Sequence, residues 1–313
     1  MVITDFLFAK CFKFVQTNNF VAMDRKKFIK NSILGTTLLA TNKLATNLSA
    51  NNIDELRPLD VVGFNHINNT KSSVMNNLVL HKSNTRGEAN HGWLKSRHTF
   101  SFANYYNPER MHFGVLRVLN DDFVEAGMGF GTHPHDNMEI ISIPLEGDLE
   151  HSDSMGNISV IKHGDIQVMS AGTGITHSEY NKSKENPVKF LQIWVFPNKK
   201  NVNPRYDQLA LNLSDRRNKL QQILSPNPND EGVWIHQNAW FHLGHFDQDK
   251  EITYNLKDPK NGVYAFILNG NFTIQDQALE NRDGLGIWEQ SQLSIKSLSA
   301  NAELLLMEVP LAI

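Results

Sequence analysis

From Leu78 onward the chain is a series of short apolar runs separated by turn-forming residues. Runs such as GVLRVLN, MEIISIPLEG and VKFLQIWVFP follow one another at intervals of roughly 10–15 residues and are punctuated by Gly, Asn, Asp and Pro. No window of about 12 residues in this part has the strong 3.6-residue period that an amphipathic helix needs. The pattern therefore predicts an all-β sandwich or barrel.

A polar interval near residues 198–232 divides these runs into two β-rich modules. It holds the turn cluster SPNPNDEG and one stretch, Asp207 to Leu224, that could form a short helix. We predict a first module over residues 78–200, a linker over residues 201–232 and a second module over residues 233–313. The segment AFILNGNFTI in the second module parallels ISIPLEGDLE in the first, which indicates a degenerate internal repeat.

The N-terminal 50 residues differ from the rest of the chain. A basic cluster, RKKFIK, precedes a modestly apolar stretch and the small residues LSA, which is the order found in a secretory signal. RKKFIK also resembles the twin-arginine export motif, with Lys26 in place of the second arginine. We therefore predict that residues 1–50 direct export to the periplasm and that the polar residues 51–77 are a linker. A cytoplasmic protein with a short amphipathic or disordered tail is the alternative interpretation.

Composition excludes several classes of partner. Residues 1–50 hold seven basic and two acidic residues and the whole chain holds 30 and 33, so residues 51–313 have 23 basic and 31 acidic residues, a net charge of −8. A body this acidic, without a basic run, is a poor nucleic-acid binder. No stretch approaches the roughly 18 apolar residues of a membrane span. Because Cys11 is the only cysteine, disulfides and cysteine metal ligands are excluded from the modules, and the expected partner is a small molecule.

Two histidine-containing stretches in the first module are candidates for a functional site. In FGTHPHDNMEI, His133 and His135 are two residues apart, so in a strand both side chains lie on the same face. Pro134 between them cannot donate to a β-ladder, which predicts a strand start or a sheet edge. In GTGITHSEY, His177 and Glu179 have the same two-residue spacing after a glycine-rich turn.

Either pair alone is a weak signal, and His177 with Glu179 is the weaker one, because a buried histidine paired with a carboxylate is common in structural roles. Together, three imidazoles and a carboxylate from two strands would suit a divalent Fe, Mn, Cu, Ni, Zn or Co ion. Such a site leaves coordination positions open for a substrate or O₂. Glu139 has the parity of the histidine face as well and is the alternative carboxylate.

The residues around these motifs carry a family resemblance. HPHDNMEIISIPLEG followed by HGDIQVMSAGTGITHSE resembles the two metal-binding motifs of the cupin superfamily. HGWLKSRHTFSFANYYNPERMHFGVLRVLNDD and MSAGTGITHSEYN closely resemble the pirin family of bicupins. The resemblance runs almost continuously from about residue 78 to residue 210 and is looser over residues 230–313.

The resemblance implies two tandem cupin barrels, with one mononuclear metal ion, usually iron, in the N-terminal barrel and none in the C-terminal barrel. The pirin pattern places the metal ligands at His133, His135, His177 and Glu179. In the broader cupin pattern a glutamate at the position of Glu139 is a ligand, but in pirins the fourth ligand comes from the second motif. Glu139 is then expected behind the ligands, where it orients an imidazole N–H.

The remaining histidines are interpreted as structural. His91 and His98 belong to a segment before the barrel whose aromatic residues pack against it, although they could line the mouth of the pocket. His151 and His163 are interpreted as turn or surface residues. The histidines of the second module, which form no H-x-H pair, are His236, His242 and His245.

The function implied by the resemblance is that of an oxidoreductase. Several bacterial pirins with the HGWL and SRHTFSF segment act as quercetin 2,3-dioxygenases, and the vertebrate pirin is a nuclear co-regulator proposed to sense redox state through its iron. We therefore expect an Fe(II)-dependent dioxygenase that cleaves a flavonol or a related dihydroxy-aromatic with O₂. Glu179 is the expected catalytic base, with Glu139 in reserve. A non-catalytic metal-binding or redox-sensing module and an oxygenase of another substrate are the alternatives, and the internal duplication predicts a monomer.

Overall fold

The computed structural model describes residues 77–313, so the predicted targeting segment (1–50) and all of the predicted linker 51–77 except Asn77 lie outside the described residues. Within them, the chain forms 22 strands and two short 3₁₀ turns, at Ser83–Thr85 and Leu213–Arg216. The strands make four sheets, two of seven strands and two of four. The prediction of an all-β chain is confirmed. In residues 77–313 no helix is long and apolar enough to cross a membrane.

After the first strand, β1 (Leu78–His81), the next eleven strands build an N-terminal sandwich. Its seven-stranded sheet has the order β12-β9-β6-β11-β4-β3-β2 and its four-stranded sheet the order β5-β10-β7-β8. The strand bounds are β2 (Gly87–Asn90), β3 (Leu94–His98), β4 (Leu116–Val124), β5 (Gly129–His135), β6 (Glu139–Glu146), β7 (Leu149–Asp153), β8 (Ile158–Ile161), β9 (Asp165–Ser170), β10 (Ile175–Asn181), β11 (Val188–Val195) and β12 (Arg205–Ala210).

The remaining strands, together with β1, build a C-terminal sandwich of the same design. The strand bounds are β13 (Leu220–Ser225), β14 (Val233–Trp234), β15 (Trp240–Phe246), β16 (Glu251–Asn255), β17 (Asn261–Asn269), β18 (Phe272–Ile274), β19 (Gln277–Leu279), β20 (Gly284–Ile287), β21 (Gln292–Ser297) and β22 (Ala302–Pro310). The seven-stranded sheet has the order β1-β20-β17-β22-β15-β13-β14, and the four-stranded sheet has the order β16-β21-β18-β19.

The strand order differs from the predicted module boundaries in two places. β1, at the start of the predicted first module, pairs with β20 of the C-terminal sandwich in the register Leu78↔Ile287 to His81↔Gly284. The interval 201–232, predicted as a linker with a short helix, contains β12 and β13. Both strands are only partly buried over much of their length, so they lack the apolar runs by which the other strands are recognised.

The two seven-stranded sheets share one apolar core. Leu191 and Ile193 on β11 belong to the same buried cluster as Leu305 and Met307 on β22. The opposite face of β11 lines the interior of the N-terminal sandwich, where Phe190 packs in a separate cluster. Strands that are buried on both faces are apolar at almost every position, which explains runs such as MEIISIPLEG. The candidate site lies in the N-terminal sandwich, on the face of the large sheet that points away from the shared core.

Candidate metal centre

Three imidazoles meet where β5 pairs with β10. These strands are antiparallel, with His177 opposite His133 and Ile175 opposite His135. The ring centroid of His177 lies 4.4 Å from that of His133 and 4.9 Å from that of His135. Each of the three buried rings offers a nitrogen atom within 4.8 Å of the others. β5 is the edge strand of its sheet, as Pro134 predicts, because an edge position does not need the missing N–H donor.

Glu179 lies two residues beyond His177 on β10, and the pairing of β10 with β5 shifts register between them. Its carboxylate is buried, and both of its oxygens accept hydrogen bonds from residues of the seven-stranded sheet. The hydroxyl of Ser142 on β6 donates to Oε1 at 3.0 Å, and the amide of Gln192 on β11 donates to Oε2 at 2.8 Å. These two bonds fix the orientation of the carboxylate beside the imidazole cluster.

His151 forms a second group with His177 and Glu179, whose potential ligand atoms also lie within 4.8 Å of one another. His151 is not the turn or surface residue that its sequence context predicts, and that prediction is wrong. The ring is fully buried on β7, directly across the ladder from Glu179. Its Nε2 lies 3.3 Å from Asp153 Oδ2, and its centroid lies 5.3 Å from that of His177. A single histidine on a strand gives no sequence signal of its own, so spacing could not reveal it.

Burial keeps the imidazoles neutral. It lowers the pKa of His135 to about 3 and the pKa of His177 well below the ordinary value, with the neighbouring imidazoles as a further cause. It also lowers the pKa of His133, whose Nδ1 lies 2.8 Å from the carbonyl oxygen of Gly131. Because only an N–H can bond that carbonyl, Nδ1 carries the proton and Nε2 the lone pair. Neutral imidazoles are the form that binds a metal ion.

The protein atoms at this centre fit a bound cation. Both ring nitrogens of His177 are buried and have no hydrogen-bond partner among residues 77–313. Buried polar atoms in native proteins are almost always paired, so an unpaired nitrogen inside a cluster of three imidazoles indicates a missing partner. A divalent ion supplies such a partner, and three imidazoles with one carboxylate are ligands that first-row ions accept.

A cavity of about 330 Å³ opens beside the imidazoles and Glu179. Much of its wall is aromatic, from Trp93, Phe102, Phe130 and Trp194. The ring of Trp194 packs edge-on against that of His135, with centroids 4.9 Å apart. A mostly apolar cavity with a few convergent polar groups is typical of a small-molecule site.

Glu139 does not lie behind the ligand imidazoles, where it was predicted to orient an N–H group. Its Oε2 accepts a hydrogen bond from the Ser170 hydroxyl at 2.6 Å. The backbone of His236 also donates a hydrogen bond to the carboxylate, and the charge of Arg205 lies nearby. Burial raises the pKa of Glu139 to about 7. The expected role of orienting a ligand imidazole is therefore corrected: Glu139 is bonded to β9. Side-chain alternation does not extend from His135 to Glu139, because β5 ends at His135 and Glu139 begins a strand of the other sheet.

Three more polar residues line the cavity that were not predicted as residues of the site. Asn120 and Asp122 lie in the middle of β4, whereas the sequence LNDD resembles a turn at the end of a strand. His98, interpreted as structural, also lines the cavity. Burial raises the pKa of Asp122 to about 7 and lowers that of His98 to about 4. A run of polar residues such as Asn120 to Asp122 resembles a turn unless the cavity that alternate members of the run face is known.

Known proteins match this chain in sequence. Residues 79–195 match the family described as Pirin, and residues 222–309 match the family described as Quercetinase C-terminal cupin domain. The chain is 43% identical over 233 residues to a quercetin 2,3-dioxygenase of Escherichia coli, a match that covers 74% of this chain and 99% of that relative. It is 37% identical over 223 residues to a pirin-like protein of Caulobacter vibrioides, with 71% and 95% covered.

Solved structures match as well. The bacterial pirin YhhW from Escherichia coli, in complex with nickel(II), is 43% identical and has a TM-score of 0.70 over 74% of this chain and 99% of that one. A quercetin 2,3-dioxygenase from Acinetobacter baumannii shares the fold at 19% identity, with a TM-score of 0.60 over 74% and 86% of the two chains. The two sandwiches are thus an N-terminal and a C-terminal cupin domain, and the chain belongs to the pirin family.

Proposed function

We propose that this protein is a metal-dependent dioxygenase that opens the ring of a flavonol, or of a related dihydroxy-aromatic, with O₂. The observation that carries the proposal is the position of the three imidazoles and Glu179 beside a cavity with aromatic walls. Quercetin 2,3-dioxygenase is also the name of the Escherichia coli relative that is 43% identical. A reactive centre beside a slot for a flat apolar molecule is what such chemistry needs.

We assign the metal to His133, His135, His177 and Glu179. A divalent ion bound there would supply a Lewis acid and a template that holds the aromatic oxygen and O₂ together. Fe(II) is the ion that the family resemblance implies, and a related structure contains nickel(II). Imidazole and carboxylate ligands accept several first-row ions, so the identity of the ion is a matter for metal analysis.

Glu179 is the residue to which we assign removal of the substrate's hydroxyl proton. Its carboxyl lines the cavity, where it can accept a proton from a substrate hydroxyl group. Ser142 and Gln192 hold both oxygens and so aim the carboxylate at the cavity. Glu139, the alternative candidate for the base, is not among the residues that line the described cavity.

The aromatic wall orients the substrate and keeps water away. Phe102 packs edge-on against Trp194, with centroids 5.3 Å apart, and Trp93 packs against Phe130 at 5.4 Å. Both pairs line the cavity, so a flat ring would be held between apolar surfaces. In such a site a proton transfer occurs away from bulk water, where electrostatic interactions are stronger.

The test combines metal analysis with an assay of turnover. The purified protein is reconstituted separately with Fe(II), Ni(II), Mn(II), Cu(II), Zn(II) and Co(II), and bound metal is measured by mass spectrometry. Loss of quercetin, O₂ uptake and release of CO are then followed together. We expect about one metal ion per chain and turnover with at least one ion. One ion per chain without turnover on a panel of phenols would instead support a non-catalytic metal-binding or redox-sensing module.

We also propose that residues 1–50 direct export and that the protein acts as a monomer on a small molecule rather than on nucleic acid. The basic cluster followed by an apolar stretch supports export, and the acidic net charge of residues 51–313 argues against nucleic-acid binding. Fractionation of bacterial cells that express the full chain tests the location. Retention in the cytoplasm would favour the alternative of a cytoplasmic pirin.

A further inference from the structure

The cavity has a polar wall, formed by Ser96 and His98 on β3 and by Asn120 and Asp122 on β4. The two strands are antiparallel, with Ser96 opposite Asp122 and His98 opposite Asn120. All four side chains are buried and line the cavity. Alternate residues of a strand share a face, so the four form one compact polar patch inside an otherwise aromatic slot.

Two atoms of this polar wall are unsatisfied. His98 Nδ1 and Asn120 Oδ1 are buried and have no hydrogen-bond partner among residues 77–313, whereas the Ser96 hydroxyl interacts with the Asp122 carboxyl. Their residues are at most 5% exposed, so bulk solvent does not reach them freely. Native proteins rarely leave buried polar atoms unpaired, so two such atoms in one cavity indicate that this wall binds polar groups of a ligand.

The polar wall continues the row of residues that holds Glu179. Gln192, which donates to Glu179, pairs across β11 and β4 with Asn120, and Asn120 pairs across β4 and β3 with His98. Neighbouring strands are spaced about 4.8 Å apart, so Asn120 and His98 lie roughly 5 and 10 Å further along the sheet than Gln192. Successive residues of this row therefore lie at increasing distances from Gln192 and the carboxylate that it bonds.

A ligand that satisfies the row must be both flat and polar at its far end. The aromatic pairs Trp93–Phe130 and Phe102–Trp194 favour a planar ring system. The carbonyl oxygen of Asn120 is an acceptor, the carboxyl of Asp122 offers an oxygen, and the neutral imidazole of His98 offers one donor and one acceptor. Phenolic hydroxyl groups, which donate and accept, complement all three.

We propose that the polar wall of Ser96, His98, Asn120 and Asp122 forms hydrogen bonds with hydroxyl groups on the part of the substrate remote from Glu179. The enzyme thereby selects polyhydroxylated aromatics. This inference rests on the proposed dioxygenase function. The side chains are specificity determinants that contact the remote end of the substrate and take no part in ring opening. A site built to bond hydroxyl groups rejects an analogue that lacks them, because its buried polar groups then stay unpaired.

The test compares quercetin with 3-hydroxyflavone, which has the same reacting ring but lacks the remote hydroxyl groups. For each compound, kcat/KM is measured with the metal-loaded full-length protein, and Kd is measured by fluorescence quenching without O₂. We expect the wild type to prefer quercetin by at least about tenfold. Asn120→Leu and His98→Phe should each lower that preference about tenfold, while values for 3-hydroxyflavone change less than about threefold.

Asn238→Leu, an exposed position in the C-terminal domain, is the matched control and should keep the preference of the wild type. Metal content and circular dichroism show whether each variant is folded, and Asp122→Asn provides a further variant if Asn120→Leu is not. Variants that turn over both compounds with the preference of the wild type would overturn the polar wall and leave the dioxygenase standing. A wild type that neither binds nor consumes either compound would overturn the dioxygenase itself.

Discussion

His133 and His177 lie directly opposite each other on two hydrogen-bonded strands, and their ring centroids are 4.4 Å apart. This one cross-strand pair joins two motifs that are more than forty residues apart in sequence. His135 follows on the same face of β5, and Glu179 follows on β10. The register of a single edge ladder therefore brings the three imidazoles together, and Glu179 lies beside His177 in a second group that also contains His151.

His177 belongs to both groups of potential ligands, so its loss should affect metal binding most. We expect His177→Ala, after reconstitution and desalting, to retain less than about a tenth of the metal held by the wild type. Mass spectrometry of the purified protein measures this directly. His163→Ala, in an exposed turn, is the control and should retain the full amount. Equal metal contents in His177→Ala and the wild type would refute the assigned site.

The two buried glutamates should differ sharply in kinetic importance. We expect Glu179→Gln to lower kcat for flavonol consumption by about 100-fold or more per bound metal ion, because an amide cannot accept the substrate's proton. Glu139→Gln should change kcat by less than about threefold, since Ser170 rather than the imidazole cluster holds that carboxyl. Steady-state kinetics with rates divided by metal content makes the comparison. A larger loss in Glu139→Gln than in Glu179→Gln would reverse the assignment.

Local spacing was sufficient to place His133 with His135 and to make His177 and Glu179 a second candidate pair, because side-chain alternation in a strand is a property of the backbone. The choice of Glu179 over Glu139 came from the family resemblance and not from spacing. Spacing was insufficient for Glu139, since the turn between His135 and Glu139 moves the chain from one sheet to the other and resets the alternation. It was also insufficient for His151, which reaches the site only through the pairing of β7 with β10. Contacts that depend on how distant strands pair can be identified only from the three-dimensional structure.

The same limit applies to the strand order and to the cavity. No local feature of Leu78–His81 shows that this strand pairs with β20, roughly 200 residues away in the chain. Asn120 and Asp122 resemble turn residues, yet the cavity accommodates both in the middle of β4. The presence of polar residues inside a strand can be explained only when the cavity or surface that they face is known.

Glu139 should also give the metal-free protein a measurable pH dependence. Burial raises its folded pKa from 4.5 to about 7, so between these values the folded protein keeps a proton that the unfolded chain releases. The contribution of this carboxyl to stability is therefore complete below pH 4.5 and is lost as pH rises through about 7. We expect the free energy of unfolding of the wild type, relative to Glu139→Gln, to fall by up to about 3 kcal/mol over that interval.

Urea unfolding of both metal-free proteins at a series of pH values measures this difference, and the subtraction removes the opposing contributions of the buried histidines. Glu185→Gln, at an exposed position, serves as the control and should differ from the wild type by a constant amount. A difference between wild type and Glu139→Gln that is independent of pH would contradict the burial of an ionisable carboxyl at this position.

His151 should tune the metal without being essential for binding. The proposed ligands remain in His151→Ala, but the ring beside His177 and the contact with Asp153 are lost. We therefore expect metal affinity to fall by about 10–100-fold at unchanged stoichiometry, as measured by competition with a chelator. Tyr206→Phe is the control, because it keeps the ring that packs against His151 and removes only the hydroxyl, which is bonded to Ser159 and Gln208. Complete loss of binding in His151→Ala would make His151 itself a ligand.

Phe113 connects the two domains by packing its ring against two glycines, where a larger residue would clash with the ring. The residue precedes β4 of the N-terminal domain, and its buried ring lies over Gly262 on β17 and Gly286 on β20 of the C-terminal domain. A Cβ on Gly286 would come within 2.6 Å of Phe113 Cε2. We expect Gly286→Ala to destabilise the protein by about 1–3 kcal/mol, because a buried aromatic ring has little room to move. Thermal and urea denaturation provide the measurement.

A second substitution shows whether the clash with Phe113 is the cause. Phe113→Leu shortens the side chain and should by itself cost roughly 1 kcal/mol or more through lost packing. In the double variant the smaller side chain leaves space for the new methyl group, so the combined cost should be less than the sum of the single costs by at least about 0.5 kcal/mol. Strict additivity would show that Gly286 is needed for another reason, such as its contact with Val79 on β1, 3.0 Å from the same Cβ position.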